Sequence, residues 1–178
     1  MRLRIVAGEL GGRRISVPAR PGLRVTSERV REAWFSALGE SIRGATVVDL
    51  YAGSGALGME ALSRGAARVD FVEADTRLVS VLRSNLEKLG LGERGGVFRT
   101  EAMAFLERRQ ARRWDVALAD PPYRKGTAAR LALRFRDEPF ARILCIEHEP
   151  EALASELEPW RVRRYGDTEL TFLRSGAD

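Results

Sequence analysis

The residues that most constrain the chemistry of this chain form the segment Asp120-Pro121-Pro122-Tyr123. It follows an apolar run, residues 114–119, whose composition predicts a buried strand. Two prolines after a strand cannot continue its hydrogen bonding and disfavour a helix, so we expect a stiff, extended turn. Such a turn presents a carboxylate, backbone carbonyls and an aromatic ring, which suit a flat base with an exocyclic amino group. For the two prolines alone, a loop that merely ends a strand is the favoured interpretation, and only the other motifs of the chain reverse that preference.

A glycine-rich turn forms a second candidate site. Residues 47–50 predict a strand, and Gly53, Gly55 and Gly58 follow it with the spacing G-x-G-x-x-G of dinucleotide-binding proteins. Glu73 ends the next predicted strand 20 residues after Gly53, where a ribose-binding acid is expected. Taken alone, this pattern fits an NAD enzyme.

Asp49, at the end of the same strand, argues against a dinucleotide. A carboxylate beside the loop would repel a pyrophosphate but suit a cofactor that carries an ammonium and a sulfonium, which indicates S-adenosylmethionine. Glu73 would then accept hydrogen bonds from both ribose hydroxyls, and Glu101, followed by Ala102, would accept from the adenine amino group. Acids at three successive strand ends favour a ligand site over unrelated surface charges.

The elements that must position these residues alternate along the chain from residue 45. Hydrophobic patterning predicts strands of a mostly parallel sheet at 46–50, 68–73, 96–100, 114–120 and 143–148. Helices are predicted at 57–64, 77–89, 102–109 and after Gly126, with an antiparallel pair of strands at 161–165 and 169–174. Repeated βα units imply an α/β sheet with helices on both faces, whose strands end at one common edge.

The first 43 residues carry the excess charge. They contain nine arginines and four glutamates; the whole chain of 178 residues has 30 basic and 25 acidic residues, so the net charge of +5 lies entirely in this segment. Its predicted elements are a hairpin and a helix, at 3–7, 13–17 and 27–38. Thr26 or Ser27 is expected to cap that helix. A basic segment on an electrically balanced domain suggests a segment that faces a polyanion such as a nucleic acid, but the charge alone fits a solvated basic surface equally well.

The single cysteine, Cys145, and the single histidine, His148, limit the chemistry of the site. One cysteine excludes an internal disulfide, and this composition gives no Cys/His cluster, so we expect no metal. His148 is expected to be structural. We find no stretch long and apolar enough to cross a bilayer and no signal-peptide core, which predicts a cytoplasmic protein without membrane association. A monomer is expected.

The order of these motifs resembles that of class I S-adenosylmethionine-dependent methyltransferases that modify amino groups of nucleobases. The matching segments are Asp49-x-x-x-Gly53-x-Gly55, Glu73, Glu101-Ala102 and Asp120-Pro121-Pro122-Tyr123. Residues 4–13, 24–32, 147–149 and 165–168 further resemble the bacterial 16S rRNA guanine-N2 methyltransferase family, nearly end to end. The chain departs from that family at Val25-Thr26-Ser27-Glu28, where Pro-Thr-Thr-Asp is usual, at Glu101 for Asp, and at Tyr123 for Phe.

The resemblance implies a Rossmann-like α/β fold with a mostly parallel, seven-stranded sheet, helices on both faces, a terminal antiparallel hairpin and a small N-terminal β-hairpin extension. The implied division is a basic, RNA-facing extension over 1–43 and a methyltransferase domain over 44–178. The implied reaction transfers a methyl group from S-adenosylmethionine to N2 of a guanine in a 16S rRNA loop, within an assembling small ribosomal subunit.

The resemblance also assigns roles to individual residues. The implied catalytic residues are Asp120, Pro121, Pro122 and Tyr123. The cofactor would be bound by Asp49, Tyr51, Gly53, Gly55, Glu73, Ala74, Glu101, Ala102 and Asp120. The RNA would be contacted by Arg2, Arg4, Arg13, Arg14, Arg24, Arg29, Arg31, Arg124 and Lys125.

Three other functions stay open at this point. An adenine-N6 methyltransferase could use the same Pro-Pro turn, although DNA enzymes of that kind usually need a separate target-recognition region for which this chain has no room. An NAD-dependent oxidoreductase would fit the glycine loop, and a cofactor-binding titration separates it. A catalytically silent RNA-binding module is disfavoured by the intact Asp120 and the intact loop.

Overall fold

The computed structural model describes residues 1–19, 26–109, 114–123, 126–153 and 157–176. Its strands are β1 (Arg2–Arg4), β2 (Arg14–Ser16), β3 (Thr46–Leu50), β4 (Arg68–Glu73), β5 (Gly95–Arg99), β6 (Trp114–Ala119), β7 (Ala141–His148), β8 (Arg161–Tyr165) and β9 (Thr168–Arg174). Its α-helices are α1 (Glu28–Leu38), α2 (Ala56–Ser63), α3 (Thr76–Lys88), α4 (Ala102–Arg108) and α5 (Thr127–Asp137). Short 3-10 turns lie at Gly39–Ile42 and Gly92–Arg94.

Seven of these strands form one sheet in the order β5-β4-β3-β6-β7-β9-β8. Neighbouring strands from β5 to β7 are parallel, whereas β9 pairs antiparallel with both β7 and β8. The predicted fold, including the terminal antiparallel hairpin, is therefore confirmed. The sheet grows in opposite directions from β3 and from β6, and ligands of α/β proteins bind at the carboxyl ends of strands at such a switch point.

Two apolar clusters cover the two faces of the sheet because side chains of a strand alternate between faces. Val47 packs in one cluster with residues of α1 to α3, and Val48 packs in the other with Phe105 of α4 and Phe135 of α5. Both faces of β3 are thus buried, as expected for a central parallel strand. Among the described residues, no helix has the length and hydropathy required to span a membrane.

The N-terminal hairpin differs from its prediction in where the strands end. The strand predicted to reach Ala7 ends at Arg4, because the next backbone groups bind the domain. The N–H groups of Val6 and Ala7 donate to the buried carboxylate of Glu60 on α2, at 2.7 and 3.0 Å. A side chain on a helix therefore replaces the strand partner that the pattern predicts.

The N-terminal segment shares its core with the sheet. Ile5, Ile15 and Trp34 are buried in the same cluster as Val47. Asn85 of α3 adds polar contacts: its amide accepts from the N–H of Ser16 and donates to the carbonyl of Ser16, both at 2.9 Å. The hairpin is thus held against α2 and α3 by apolar packing and by buried hydrogen bonds.

One glycine of the segment is required by close approach. Gly8 has a φ of +84°, and a Cβ built on it would lie 1.9 Å from the backbone oxygen of Ser63. The neighbouring Glu9 N–H donates to that same oxygen at 2.8 Å. A side chain at Gly8 would separate the hairpin loop from the end of α2.

Candidate active site

The predicted acids meet at the carboxyl edge of the sheet. Asp49 lies in β3, Glu73 ends β4, Glu101 precedes α4 and Asp120 directly follows β6. Asp120 and Glu73 both lie near enough to Asp49 to disfavour its charged form. The edge therefore holds concentrated negative charge next to the switch point between β3 and β6, and a cationic ligand would relieve it.

Asp49 is the most perturbed of these acids. Its side chain is 1% exposed, and its Oδ2 accepts the backbone N–H of Gly58 in the first turn of α2 at 2.8 Å. Burial raises the pKa of Asp49 to about 8, while the Gly58 hydrogen bond acts in the opposite direction. Without a ligand, this carboxyl is mostly protonated at neutral pH; a nearby cation would favour its ionised form.

Glu73 shapes the glycine loop. Its Oε2 accepts the N–H of Gly53 and its Oε1 accepts the N–H of Asp75, each at 2.8 Å. One carboxylate thus joins the loop after β3 to the turn after β4. Each oxygen has further acceptor capacity, so Glu73 could also accept from the hydroxyls of a ribose placed beside the two turns.

The loop that Glu73 holds has an unusual backbone. Tyr51, Gly53 and Gly55 have φ values of 63°, 57° and 89°, and Tyr51 is one of two described non-glycine residues with a positive φ. Such conformations cost free energy and concentrate at ligand sites. The Tyr51 ring packs against the cluster of α4 and α5, and burial, reinforced by the negative charge of Glu101, raises the pKa of its hydroxyl.

Two glycines of the loop allow α2 to approach the sheet. A Cβ at Gly55 would lie 2.4 Å from Leu82 Cδ1, and one at Gly58 would lie 2.2 Å from the Phe71 ring. The third glycine of the pattern therefore serves helix-to-sheet packing, which is one role of such glycines in nucleotide-binding loops. The other predicted cofactor contacts follow two of the acids: Ala74 is exposed beside Glu73, and Ala102 begins α4.

Two threonines from distant segments hold the Asp120-Pro121-Pro122-Tyr123 turn. The hydroxyl of Thr26 donates to Asp120 Oδ2 at 2.7 Å. The hydroxyl of Tyr123 is hydrogen-bonded to Thr168 Oγ1 of β9, with the oxygens 2.6 Å apart. Tyrosine in place of phenylalanine at this position thus gains a contact that orients the ring.

A cleft of about 630 Å³ opens beside the turn. Pro121, Pro122 and Tyr123 line the cleft on the side of the turn. Residues 147–152 and Asp167 also line it. A volume of this size lies in the range of small-molecule sites. Asp120 immediately precedes Pro121 and is not itself among the lining residues.

His148 lies at the end of β7 and is among the residues that line the cleft. It is buried, its Nε2 is 2.8 Å from Thr171 Oγ1 and its Nδ1 is 2.7 Å from the Glu149 carbonyl. Both ring nitrogens are therefore engaged within the protein. No group of three or more acidic, histidine or cysteine side chains in the described ranges is arranged to hold a metal ion.

The predicted RNA contacts divide by exposure. The exposed members of the described set are Arg2, Arg4, Arg13, Arg14 and Arg29. Arg4 pairs with Glu28 at 2.8 Å, and the Arg29 guanidinium lies 5.9 Å from the centre of the Tyr165 ring. Arg24, Arg124 and Lys125 lie outside the described residues.

Arg31 corrects one prediction. Its side chain is 1% exposed, its Nη2 donates to the carbonyl of Arg4 at 2.7 Å, and burial lowers the pKa of its guanidinium. The prediction that Arg31 contacts RNA phosphate is wrong, because this side chain points into the protein from α1 towards β1. Charge counting along a sequence cannot distinguish a buried arginine from an exposed one.

Sequence reasoning misses the residues that join the N-terminal segment to the site. The sequence predicts Thr26 only as a possible cap, yet Ser27 caps α1 by accepting the Val30 N–H at 3.3 Å, and Thr26 binds Asp120 instead. Glu60 and Asn85 carry no predicted role. A polar residue within an apolar helix face is the available signal for both, since buried polar groups need partners.

Comparison with known proteins identifies the family. A family model described as "Conserved hypothetical protein 95" matches residues 3–174. The chain belongs to this family. The solved structure of yhhF from Escherichia coli is 32% identical with a TM-score of 0.85, and the match covers 99% of this chain and 100% of that one.

Relatives of this member of the conserved hypothetical protein 95 family include Ribosomal RNA small subunit methyltransferase D of Escherichia coli K12. It is 42% identical over 124 residues, which are 70% of this chain and 62% of the relative. The match thus spans under two thirds of that relative's length. A Thermus thermophilus 16S rRNA N2 G1207 methyltransferase (RsmC), solved with AdoMet and guanosine, shares the fold at 23% identity and a TM-score of 0.72, over 98% of this chain and 50% of that one.

The class I methyltransferase fold and the family resemblance are both confirmed by these matches. The family match extends from β1 to the end of β9 and therefore includes the hairpin, the glycine loop and the Asp120 turn.

Proposed function

We propose that this chain transfers the methyl group of S-adenosylmethionine to the exocyclic N2 of a guanine in a 16S rRNA loop of the small ribosomal subunit, in the cytoplasm. The observation that carries the proposal is the position of Asp120. Asp120 directly follows β6 at the switch point of the sheet, lies near enough to act on the charge of Asp49, and precedes Pro121, which lines the 630 Å³ cleft. The name of the 42% identical relative supports small-subunit rRNA as the substrate.

The residues present fit S-adenosylmethionine. Asp49 is a buried carboxyl that gains a counter-ion when a cation binds, and Glu73 and Glu101 supply acceptors for ribose hydroxyls and an adenine amino group. Tyr51, the glycine loop and the backbone at Ala74 and Ala102 complete the proposed cofactor site. When bound, the cofactor supplies an electrophilic methyl carbon attached to a positively charged sulfur.

Asp120 has two tasks in the proposed reaction. It accepts a hydrogen bond from the amino group of guanine, which directs the nitrogen lone pair towards the methyl carbon. The carboxylate would also stabilise the positive charge that develops on this nitrogen during methyl transfer. The methylated amino cation then loses a proton readily, so Asp120 need not be a strong base.

Positioning is the larger part of the proposed catalysis. Holding the amino group in line with the methyl carbon can be worth roughly 7–11 kcal/mol. The Tyr123 ring, oriented by Thr168, stacks on the base, and such stacking is worth ~1–3 kcal/mol. Pro121 and Pro122 keep the backbone between these two residues extended.

The exposed arginines of the hairpin and of α1 are the proposed phosphate contacts. Arg2, Arg4, Arg13, Arg14 and Arg29 lie on the segment that holds the net positive charge. An rRNA loop offers unstacked bases together with a dense row of phosphates, which suits a protein that has both a basic surface and a base-binding cleft. Arg24, Arg124 and Lys125 belong to the same proposal from the sequence.

Product identification tests the proposed function. The protein is incubated with S-adenosylmethionine labelled in the methyl group and with small subunits, or their RNA, that lack the modification. The RNA is then digested and the labelled nucleoside identified. N2-methylguanosine is the expected product. N6-methyladenosine would instead establish the adenine-N6 alternative, and no transfer despite cofactor binding would show that rRNA is the wrong substrate.

A matched pair of variants tests the role of Asp120. Asp120→Ala should abolish turnover and leave the affinity for S-adenosylmethionine nearly unchanged, because Asp120 acts on the base. Asp137→Ala removes an exposed aspartate at the end of α5 and serves as the control. Retained turnover in Asp120→Ala would remove this residue from the mechanism.

Charge reversal tests the RNA surface. Arg13→Glu with Arg14→Glu should weaken RNA binding and flatten its salt dependence, by about 0.7–0.9 in the log–log slope for each phosphate that is no longer neutralised. The control is Arg108→Glu with Arg142→Glu, since these two exposed arginines lie on α4 and β7, outside the N-terminal segment. An unchanged slope in the first pair would mean that the hairpin faces solvent in the complex.

A further inference from the structure

We infer that Thr26 is a positioning residue for methyl transfer, which orients the Asp120 carboxylate towards the target amino group. The inference rests on the proposed function of Asp120. Thr26 lies 94 residues before Asp120 in the sequence, yet its Oγ1 is 2.7 Å from Asp120 Oδ2. The N-terminal segment, which is proposed to bind RNA, thus contacts the catalytic carboxylate directly.

The chemistry of the two groups fixes the direction of this hydrogen bond. An ionised carboxylate has acceptors only, so the Thr26 hydroxyl must donate. Hydrogen bonds from a hydroxyl to a charged oxygen are short and roughly twice as strong as neutral ones. The 2.7 Å separation fits such a bond.

Thr26 supplies an orientation that the backbone cannot supply. Pro121 and Pro122 restrict the chain after Asp120, but they do not restrict rotation of its carboxyl group about the terminal torsion, which is intrinsically broad. A donor held at Oδ2 selects one rotation of the group. The plane of the carboxylate, and hence the direction from which it accepts the guanine amino group, is then set before the base arrives.

The position of Thr26 is itself well determined. Its side chain is 8% exposed, and the next residue, Ser27, caps α1 through Val30. The helix is in turn held by the buried Trp34 and by the Arg31 hydrogen bond to the Arg4 carbonyl at 2.7 Å. Thr26 therefore lies directly before the cap of a packed helix, which fixes the position of its backbone.

This arrangement gives the N-terminal segment a part in turnover as well as in RNA affinity. A residue that only bound RNA would change the affinity for RNA when mutated. A residue that orients Asp120 would instead change kcat, because the carboxylate acts as charge develops in the transition state.

Thr26→Val and Thr26→Ser separate these roles. Valine matches threonine in shape but has no donor, and serine keeps the donor. Loss of a hydrogen bond to a charged group should lower kcat of Thr26→Val by about 10- to 100-fold. Thr26→Ser should stay within about threefold of the wild type, and the Kd values for S-adenosylmethionine and for rRNA should change less than about twofold in both variants.

Thermal unfolding of each variant shows whether it is folded. If Thr26→Val does not fold, Thr26→Ala, which also lacks the hydroxyl donor, takes its place. A donor-free variant with wild-type kcat, or an equal fall in kcat for the serine and donor-free variants, overturns the inference. The proposed function is judged separately: it fails if the wild type transfers no methyl group to rRNA, and the role of Asp120 fails if Asp120→Ala is active.

Discussion

Replacement of Asp49 by asparagine should stabilise the ligand-free protein, and increasingly so as the pH rises. Asp49 is buried beneath the glycine loop and accepts one hydrogen bond from the Gly58 N–H. Asparagine keeps a carbonyl oxygen for that bond and carries no charge at any pH. The change therefore removes the cost of ionising a buried group while preserving its shape and its acceptor.

The magnitude follows from the raised pKa. The pKa of Asp49 moves from 3.8 to about 8 on folding, chiefly through burial. The folded state then binds a proton that the unfolded state has released, so wild-type stability is full below the ordinary aspartate pKa and falls as pH rises towards 8. Each pH unit in this window costs about 1.4 kcal/mol, or about 4 kcal/mol between pH 5 and pH 8.

Urea unfolding of both proteins at several pH values between about 5 and 8 measures this effect. Other groups titrate equally in the two proteins, so the difference between their free energies of unfolding isolates Asp49. That difference should grow in favour of Asp49→Asn by about 1.4 kcal/mol per pH unit and level off above pH 8. A difference that is constant with pH would refute the argument, because it would mean that Asp49 is ionised in the folded protein throughout.

Three further results are expected. Binding of S-adenosylmethionine near pH 7 should release a proton from the wild type and not from Asp49→Asn. Titration calorimetry in buffers of different ionisation enthalpy measures this release, and equal release in both proteins would exclude Asp49 as the counter-ion of the cofactor. Glu60→Ala should lower the free energy of unfolding measured in urea by about 3–5 kcal/mol, because it leaves two backbone N–H groups and nearby buried charge uncompensated. A loss under about 1 kcal/mol would contradict this expectation. Tyr123→Ala should lower kcat/KM for rRNA by about 10- to 100-fold, because it removes the stacking ring, and Tyr123→Phe should lower it by less than about fivefold. Equal losses in the two variants would instead assign the effect to the Tyr123 hydroxyl and its contact with Thr168.

Much of the fold could be predicted because its signals are local. The predicted strands at 46–50, 68–73 and 161–165 coincide with those observed, and the helices predicted at 57–64, 77–89 and 102–109 agree with α2, α3 and α4 to within a residue at each end. Alternating strand and helix patterns imply a parallel sheet. Parallel strands end at one edge, so acids at strand ends could be assigned to one site without knowledge of their contacts.

The site was predicted less completely because several of its contacts join distant parts of the chain. The sequence places Asp49 beside the cofactor, but its hydrogen bond to Gly58 and its raised pKa depend on how α2 packs. Arg31 and Arg29 are alike in sequence context, yet one is buried and the other exposed. Periodicity on α1 could have suggested the difference, since Arg31 shares a face with Trp34 and Phe35.

The order of strands and helices, the glycine loop, the acids at the strand ends and the Pro-Pro turn can all be predicted from local patterns, since each depends on neighbouring residues and on the geometry common to parallel sheets. The side chains that complete the site depend instead on how the chain packs. The bond from Thr26 to Asp120, the contact of Tyr123 with Thr168 and the buried role of Glu60 span many residues of sequence. Such contacts form because burial obliges polar groups to find partners, and the packed fold, not the local pattern, determines which partners are within reach.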